Sequence, residues 1–151
     1  MTDWDLFATP APLINMASRS FARLAERRIK ALGFSAGQLP VLYLLRDGSA
    51  MSQKDLTLFA RIEQPSMAQM LARMERDGLI QRTPDPNDGR SSLVSLTEAA
   101  LAKLPMAREA LKEGSEAALA GFSDDEVASL IGLMRHLNQN LDRMVAAEVA
   151  S

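Results

Sequence analysis

The chain has no cysteine and a single histidine, His136. Disulfides, thiolate nucleophiles and thiol redox switches are therefore excluded. A tetrahedral zinc site lacks the nitrogen and sulfur ligands it needs. No D-x-D-x-D-G loop, no phosphate-cradling glycine loop and no nucleophile paired with a base can be found. The expectation is a protein with no cofactor and no metal, and not an enzyme. Long apolar runs are missing as well, and no basic-then-apolar leader opens the sequence. A cytoplasmic location, with no membrane partner, is the default.

Excess charge of one sign is also missing: the net charge is −2 over 151 residues. It is unevenly spread, at +2 for residues 1–51, zero for 52–96 and −4 for 97–151. Any nucleic-acid surface must lie in the first two-thirds, with a modest field. The length suits one domain with its own core.

What is present is clear punctuation. Ser35 with Gln38, Ser52 with Asp55, Thr97 with Ala100 and Ser123 with Glu126 read as helix starts, each an N-cap hydroxyl three residues before its partner position. Gly33, Gly48, Gly78 and Gly121 stand where helices stop. Six helices follow, at about 11–32, 36–47, 53–60, 64–77, from 98 onward, and 124–147. Strands are expected at 79–83 and 91–96. Pro105 falls inside the fifth helix, which should either kink there or begin later.

Helix six carries Val127, Leu130, Met134, Leu137, Leu141 and Met144 at spacings of 3, 4, 3, 4 and 3, a heptad seam. Helix one carries Ile14, Ala17, Phe21 and Leu24 at 3, 4 and 3. Each stripe can pack on its own chain or on a second copy. Two long amphipathic helices at opposite ends of a short chain favour a homodimer.

Between them stand a short helix, "SQKDLTLFA", a three-residue connection and a second helix, "QPSMAQMLARMERD". This is helix-turn-helix spacing, and a hairpin follows it. The fold class is mainly α with a small β-hairpin: a winged helix-turn-helix with N- and C-terminal dimerisation helices. In the second helix Met67, Met70, Leu71 and Met74 form the inward face. Gln64, Pro65, Ser66, Ala68, Gln69 and Arg73 are left outward. Gln can pair with adenine, Ser with base edges or phosphate, and Arg with guanine or phosphate; the same residues also suit an ordinary solvated face. Ser52 and Gln53 can meet phosphate at the start of the preceding helix. Arg82 can add a phosphate or base contact. At the hairpin tip, "PDPNDGR", two prolines stiffen the excursion and Asn87, Asp88 and Gly89 reverse it. Arg90 can enter a narrow minor groove. Asp88 either holds the Arg90 guanidinium in a forked pair or forms a turn through its side chain.

The stretch "GLIQRTPDPNDGRSSLVSLTEAA" resembles the wing of MarR-type bacterial transcription regulators. The matching positions are Gly78, Leu79, Ile80 and Arg82; Asp85, Pro86, Asp88 and Arg90; and Leu96, Thr97 and Ala100. "SMAQMLARMERDGL" is similar to the family's recognition helix, with Gln69 where arginine is frequent and Gly89 where a second wing arginine is common. The resemblance covers the whole chain by element order. It implies one domain, with dimerisation helices at 1–34 and 98–151 around a DNA-binding lobe at 35–97 whose wing is 79–96. It implies a homodimer on a pseudo-palindromic double-stranded DNA operator, repression as the common outcome, and release by small anionic or aromatic effectors.

Which residues would hold an effector is unknown from sequence. Arg19 and Arg23 suit a carboxylate or a dimer salt bridge, and Trp4 and Tyr43 a pocket, or more readily the core or an anchor for the terminus. His136 lies off the helix-six seam and reads as exposed, and most of the nine methionines read as core. One rival class remains, a winged-helix protein-interaction module without DNA binding, favoured by the neutral central segment.

Overall fold

The computed structural model describes residues 4–150. Helix α1 spans Pro10–Ile29 and is prolonged by a 3-10 turn at Lys30–Leu32. Gly33 ends it at φ +87°, the left-handed conformation that glycine adopts without a Cβ clash. A second 3-10 turn, Ala36–Gln38, leads into α2 at Leu39–Leu44. The Ser35 amide donates to Gln38 Oε1 at 3.0 Å, as the capping pattern requires. Helix two is thus shorter than the expected 36–47. Beyond Leu44 the chain tightens to three-residue bonding, Arg46 N–H to Tyr43 O at 3.3 Å and Gly48 N–H to Leu45 O at 3.2 Å.

Strand β1, Met51–Ser52, was not foreseen. It runs straight into α3, Gln53–Ala60, where Ser52 Oγ accepts the Asp55 amide at 3.1 Å. Arg61, at φ 57°, turns the chain into α4, Gln64–Arg76. Then come β2 at Ile80–Asp85 and β3 at Asp88–Leu96, in an antiparallel sheet of order β1-β3-β2. Both wing strands exceed their expected ranges, because pairing continues to the tip, where Asp85 faces Asp88. Thr97 Oγ1 donates to Gly78 O at 2.7 Å and accepts the Ala100 amide at 3.2 Å. One hydroxyl therefore closes the base of the hairpin and caps α5, Glu98–Ala118. That helix starts before Pro105 and continues past it.

The core joins Ile29 and Phe34 to Val41, Leu42, Leu45, Leu56 and Val94, with Met67, Met70, Leu71 and Met74 of α4 beneath them. Burying each such side chain contributes about 1.5–3 kcal/mol. Met16, Met106 and Met144 are exposed, so fewer methionines lie in the core than the sequence suggested. Trp4 and Tyr43 are also exposed, and neither joins the core.

The chain divides after Gly114 into two compact units. The second holds α6, Asp124–Ala150, begun by a reciprocal cap between Ser123 and Glu126 at 3.0 and 3.1 Å. No residue of α6 is buried. Val127, Met134 and Leu137 of its seam are half-covered, and Leu130, Leu141 and Met144 are exposed. His136 is exposed, as its position off the seam implied. On α1, Phe21 and Leu24 are likewise exposed.

Candidate nucleic-acid interface

Helices α3 and α4 present their N-termini close together. The Ser52 cap fixes the first turn of α3, and the left-handed Arg61 fixes the turn between the helices, with the Ile62 amide donating to Thr57 O at 3.4 Å. Pro65 stands in the first turn of α4, where no amide donor is needed. Gln53 and Gln64 head the two helices, and Gln53 Nε2 donates to Gln64 Oε1 at 3.4 Å.

The outward face of α4 carries Gln64, Pro65, Ser66, Ala68, Gln69 and Arg73, all exposed, while Met67, Met70, Leu71 and Met74 are buried. No acid interrupts this face between Gln64 and Arg73. Arg73 also borders a hollow of about 350 Å³ shared with Lys30, Phe34, Gln38 and Asp77. Lys54, exposed in the first turn of α3, adds a cation beside Ser52 and Gln53 that was not among the residues expected to meet phosphate. Its signal was its place two residues after the Ser52 cap, in the same first turn.

At the wing, one of the two readings open for Asp88 is the one that formed. Asp88 does not hold the Arg90 guanidinium: Asp88 Oδ1 accepts the Arg90 backbone amide at 3.1 Å, and no ion pair joins the two among the described residues. An acceptor two residues ahead of an amide closes a turn with little ordering cost, whereas the forked pair would immobilise a long side chain in water. Asp85 repeats the device, accepting the Asn87 amide at 2.9 Å. The tip is therefore built by two aspartate turns, and Arg90 extends from it exposed.

Arg82, the other wing candidate, has a partner on α4. It is half-buried, and its Nε lies 3.4 Å from Glu75 Oε1 near the end of α4. Its charge is engaged in tying the wing to that helix.

A separate cleft of about 1080 Å³ lies between α2 and α5, bordered by Leu42, Tyr43, Arg46, Leu104 and Arg108 among others. The Arg46 guanidinium sits 4.0 Å from the centroid of the Tyr43 ring, and its Nη1 donates to Tyr43 O at 2.7 Å. This contact gives the exposed Tyr43 a partner at a position that the sequence reads more readily as core.

A helix-turn-helix followed by a paired hairpin whose sheet takes a third short strand from ahead of the first helix is a winged helix-turn-helix. Comparison with known proteins narrows the class. The MarR family pattern matches residues 34–92. The HTH-type transcriptional regulator YwoH of Bacillus subtilis is 30% identical over 81% of this chain and 88% of its own length. A crystal structure of a probable transcriptional regulator from Pseudomonas aeruginosa superposes with a TM-score of 0.80 at 30% identity, over 88% of this chain and 99% of that one. A mutant MarR from E. coli, complexed with operator DNA, gives 0.77 at 28% identity, over 89% and 99%. The chain belongs to the MarR family. It is a transcription regulator, not an enzyme.

Proposed function

We propose that the protein represses transcription by binding a pseudo-palindromic operator as a homodimer, in the cytoplasm. The single observation that carries this reading is the acid-free outward face of α4, with its glutamines, serine and arginine all free of the core. Ala68 and Ser66 keep that face small enough for close approach to base edges, and its amides and hydroxyl match groups in the major groove. Arg90, at the end of a stiff and paired hairpin, supplies a cation for the flanking minor groove. The E. coli relative crystallised with operator DNA supports the same use of this fold.

Dimerisation rests on the apolar stripes of α1 and α6. An isolated chain leaves Phe21, Leu24, Leu141 and Met144 in water, which a second copy would cover. Two copies set their α4 helices into successive major grooves about 34 Å apart. Release by a small anionic or aromatic ligand is supported by the cleft between α2 and α5, which sets Arg46 and Arg108, beside the acids Asp47 and Glu109, around Tyr43 and leucines. A ligand that binds the non-binding arrangement better by about 1–3 kcal/mol lowers operator affinity roughly 5- to 150-fold.

The test is a salt titration of binding to duplex DNA. The reading predicts a linear, steep fall of log K with log salt, and weaker binding by Arg90→Ala. The rival, a protein-interaction module, is favoured by Leu58 and Phe59, which stand 68% and 59% exposed on α3. It predicts no salt-dependent DNA binding.

A further inference from the structure

The heads of α3 and α4 are joined by a bond between two amides, Gln53 Nε2 to Gln64 Oε1. A glutamine carboxamide has chemically opposite ends, an acceptor and a two-proton donor. Left alone on the surface, the Gln64 amide would sample both orientations. The backbones beneath both side chains are already fixed by the Ser52 cap, the left-handed Arg61 and Pro65. The side-chain torsions remain, and the Gln53 donor at 3.4 Å restrains the last of them, the turn of the amide, by favouring the Gln64 carbonyl toward α3.

We propose that Gln53 is a positioning residue for base readout, holding the Gln64 amide in the orientation that pairs with adenine. This rests on the DNA-binding reading given above. The bond uses one lone pair of Gln64 Oε1 and leaves the other, together with both Nε2 protons. Adenine offers an N6 donor and an N7 acceptor in the major groove, which that lone pair and one of those protons satisfy together. Guanine offers two acceptors there and sets O6 against the held carbonyl. The second Gln53 Nε2 proton is free to meet phosphate, so one side chain couples backbone position to base choice. Ordering the amide before DNA arrives also lowers the entropic cost of binding.

The probe is a duplex that the purified wild-type protein selects from a randomised pool, together with its single-base-pair variants. Affinities are measured for wild type, Gln53→Ala, Gln64→Ala, the double variant and Gln53→Glu. Wild type should prefer A·T at one pair in each half-site by about tenfold or more. Gln64→Ala and Gln53→Ala should each lose that preference at the same pair, and the double variant should be no worse than either. In Gln53→Glu the new carboxylate accepts from Gln64 Nε2 and turns the Gln64 carbonyl outward. Preference at that pair should then move from adenine toward cytosine, whose N4 group donates. The added negative charge weakens all duplexes evenly and leaves this shift visible. If Gln53→Ala weakens every duplex equally, or leaves the adenine preference intact, the proposal is overturned and Gln53 is a phosphate contact or a bystander. If the wild type enriches no sequence at all, the DNA-binding reading itself has failed, a result distinct from either of those.

Discussion

Arg82 on β2 and Glu75 on α4 meet at 3.4 Å, Nε to Oε1, and so fasten the wing to the helix that carries the outward glutamines. The arginine side chain is 28% exposed and the glutamate side chain 50%. Screening at that exposure limits the contribution of the pair to stability to about 1 kcal/mol or less. Its larger effect is expected on aim, because β2 leaves α4 through the tight turn at Gly78 and the pair ties a strand side chain back to the helix. Arg82→Ala is expected to shift the denaturation midpoint slightly and to weaken DNA binding more than that shift accounts for. Glu75→Gln should weaken DNA binding as well, although it removes a negative charge. If Arg82 were a phosphate contact instead, Glu75→Gln would tighten binding, and Arg82→Ala would lower the salt slope by about 1.

At the wing tip, Asp88 acts through its carboxylate on the Arg90 amide. Asparagine has the same acceptor, so Asp88→Asn should keep the hairpin and tighten DNA binding by removing a charge that phosphate repels. Asp88→Ala should loosen the tip and weaken binding. Arg90→Ala should reduce the salt slope by about 1 for each subunit that reaches DNA. Affinity measured across a salt series separates these three outcomes.

The dimer depends on residues that lie exposed in the single chain, so they can be changed without opening the core. Leu141→Arg with Met144→Arg should give a folded monomer by sedimentation. Loss of the linked second half-site should weaken operator binding by roughly 10²- to 10⁴-fold. A variant that remains dimeric would move the interface elsewhere.

The start of α6 carries a pH dependence. Glu126 is held below its ordinary value of 4.5, first by the Ser123 backbone amide and then by the Ser123 hydroxyl. A depressed folded value means that the cap contributes fully above the ordinary glutamate pKa and is lost as the pH falls through the lower, folded value. The first turn of α6 should fray as the pH falls below the ordinary glutamate range, and Glu126→Gln should weaken that dependence. Carboxylate titration by NMR, with amide exchange at Asp125–Val127, measures both.

Two glycines separate backbone need from space. Gly33 sits at φ +87°, where a Cβ is strained, so Gly33→Ala should destabilise by about 1–2 kcal/mol. Gly114 is helical, and a Cβ there would come within 2.8 Å of Arg28 Nε, a flexible group that can move aside. Arg28 would then give up long contacts to Ala110 O at 3.5 Å and Glu113 at 3.9 Å. The helix preference for alanine, about 1 kcal/mol, should outweigh them and make Gly114→Ala neutral to stabilising in a thermal melt.

Local chemistry was legible in the sequence, and long-range pairing was not. The Ser52 and Ser123 caps and the Met67–Met74 stripe depend on neighbours within one or two turns, and each formed as its spacing implied. Strand β1 was invisible because two residues show no alternation, and only pairing with Leu93 and Val94 makes it a strand. The Glu75 partner of Arg82 is seven residues away, and their meeting is set by how the chain leaves α4. Asp88 was ambiguous because both readings use the same carboxylate and the same partner residue; the bond to the backbone formed, which orders no long side chain. Of the candidate contacts, Gln64, Pro65, Ser66, Gln69 and Arg73 share one exposed face, while Ser52 Oγ serves as a cap and Arg82 as a strut.

Chemical protection mapping on a duplex selected by the purified protein tests the central claim most directly. The account predicts two protected major-groove patches on one face of the duplex, with centres about one helical turn apart, flanked by minor-groove protection that disappears with Arg90→Ala. A single patch, or none at concentrations that saturate the dimer, would contradict it.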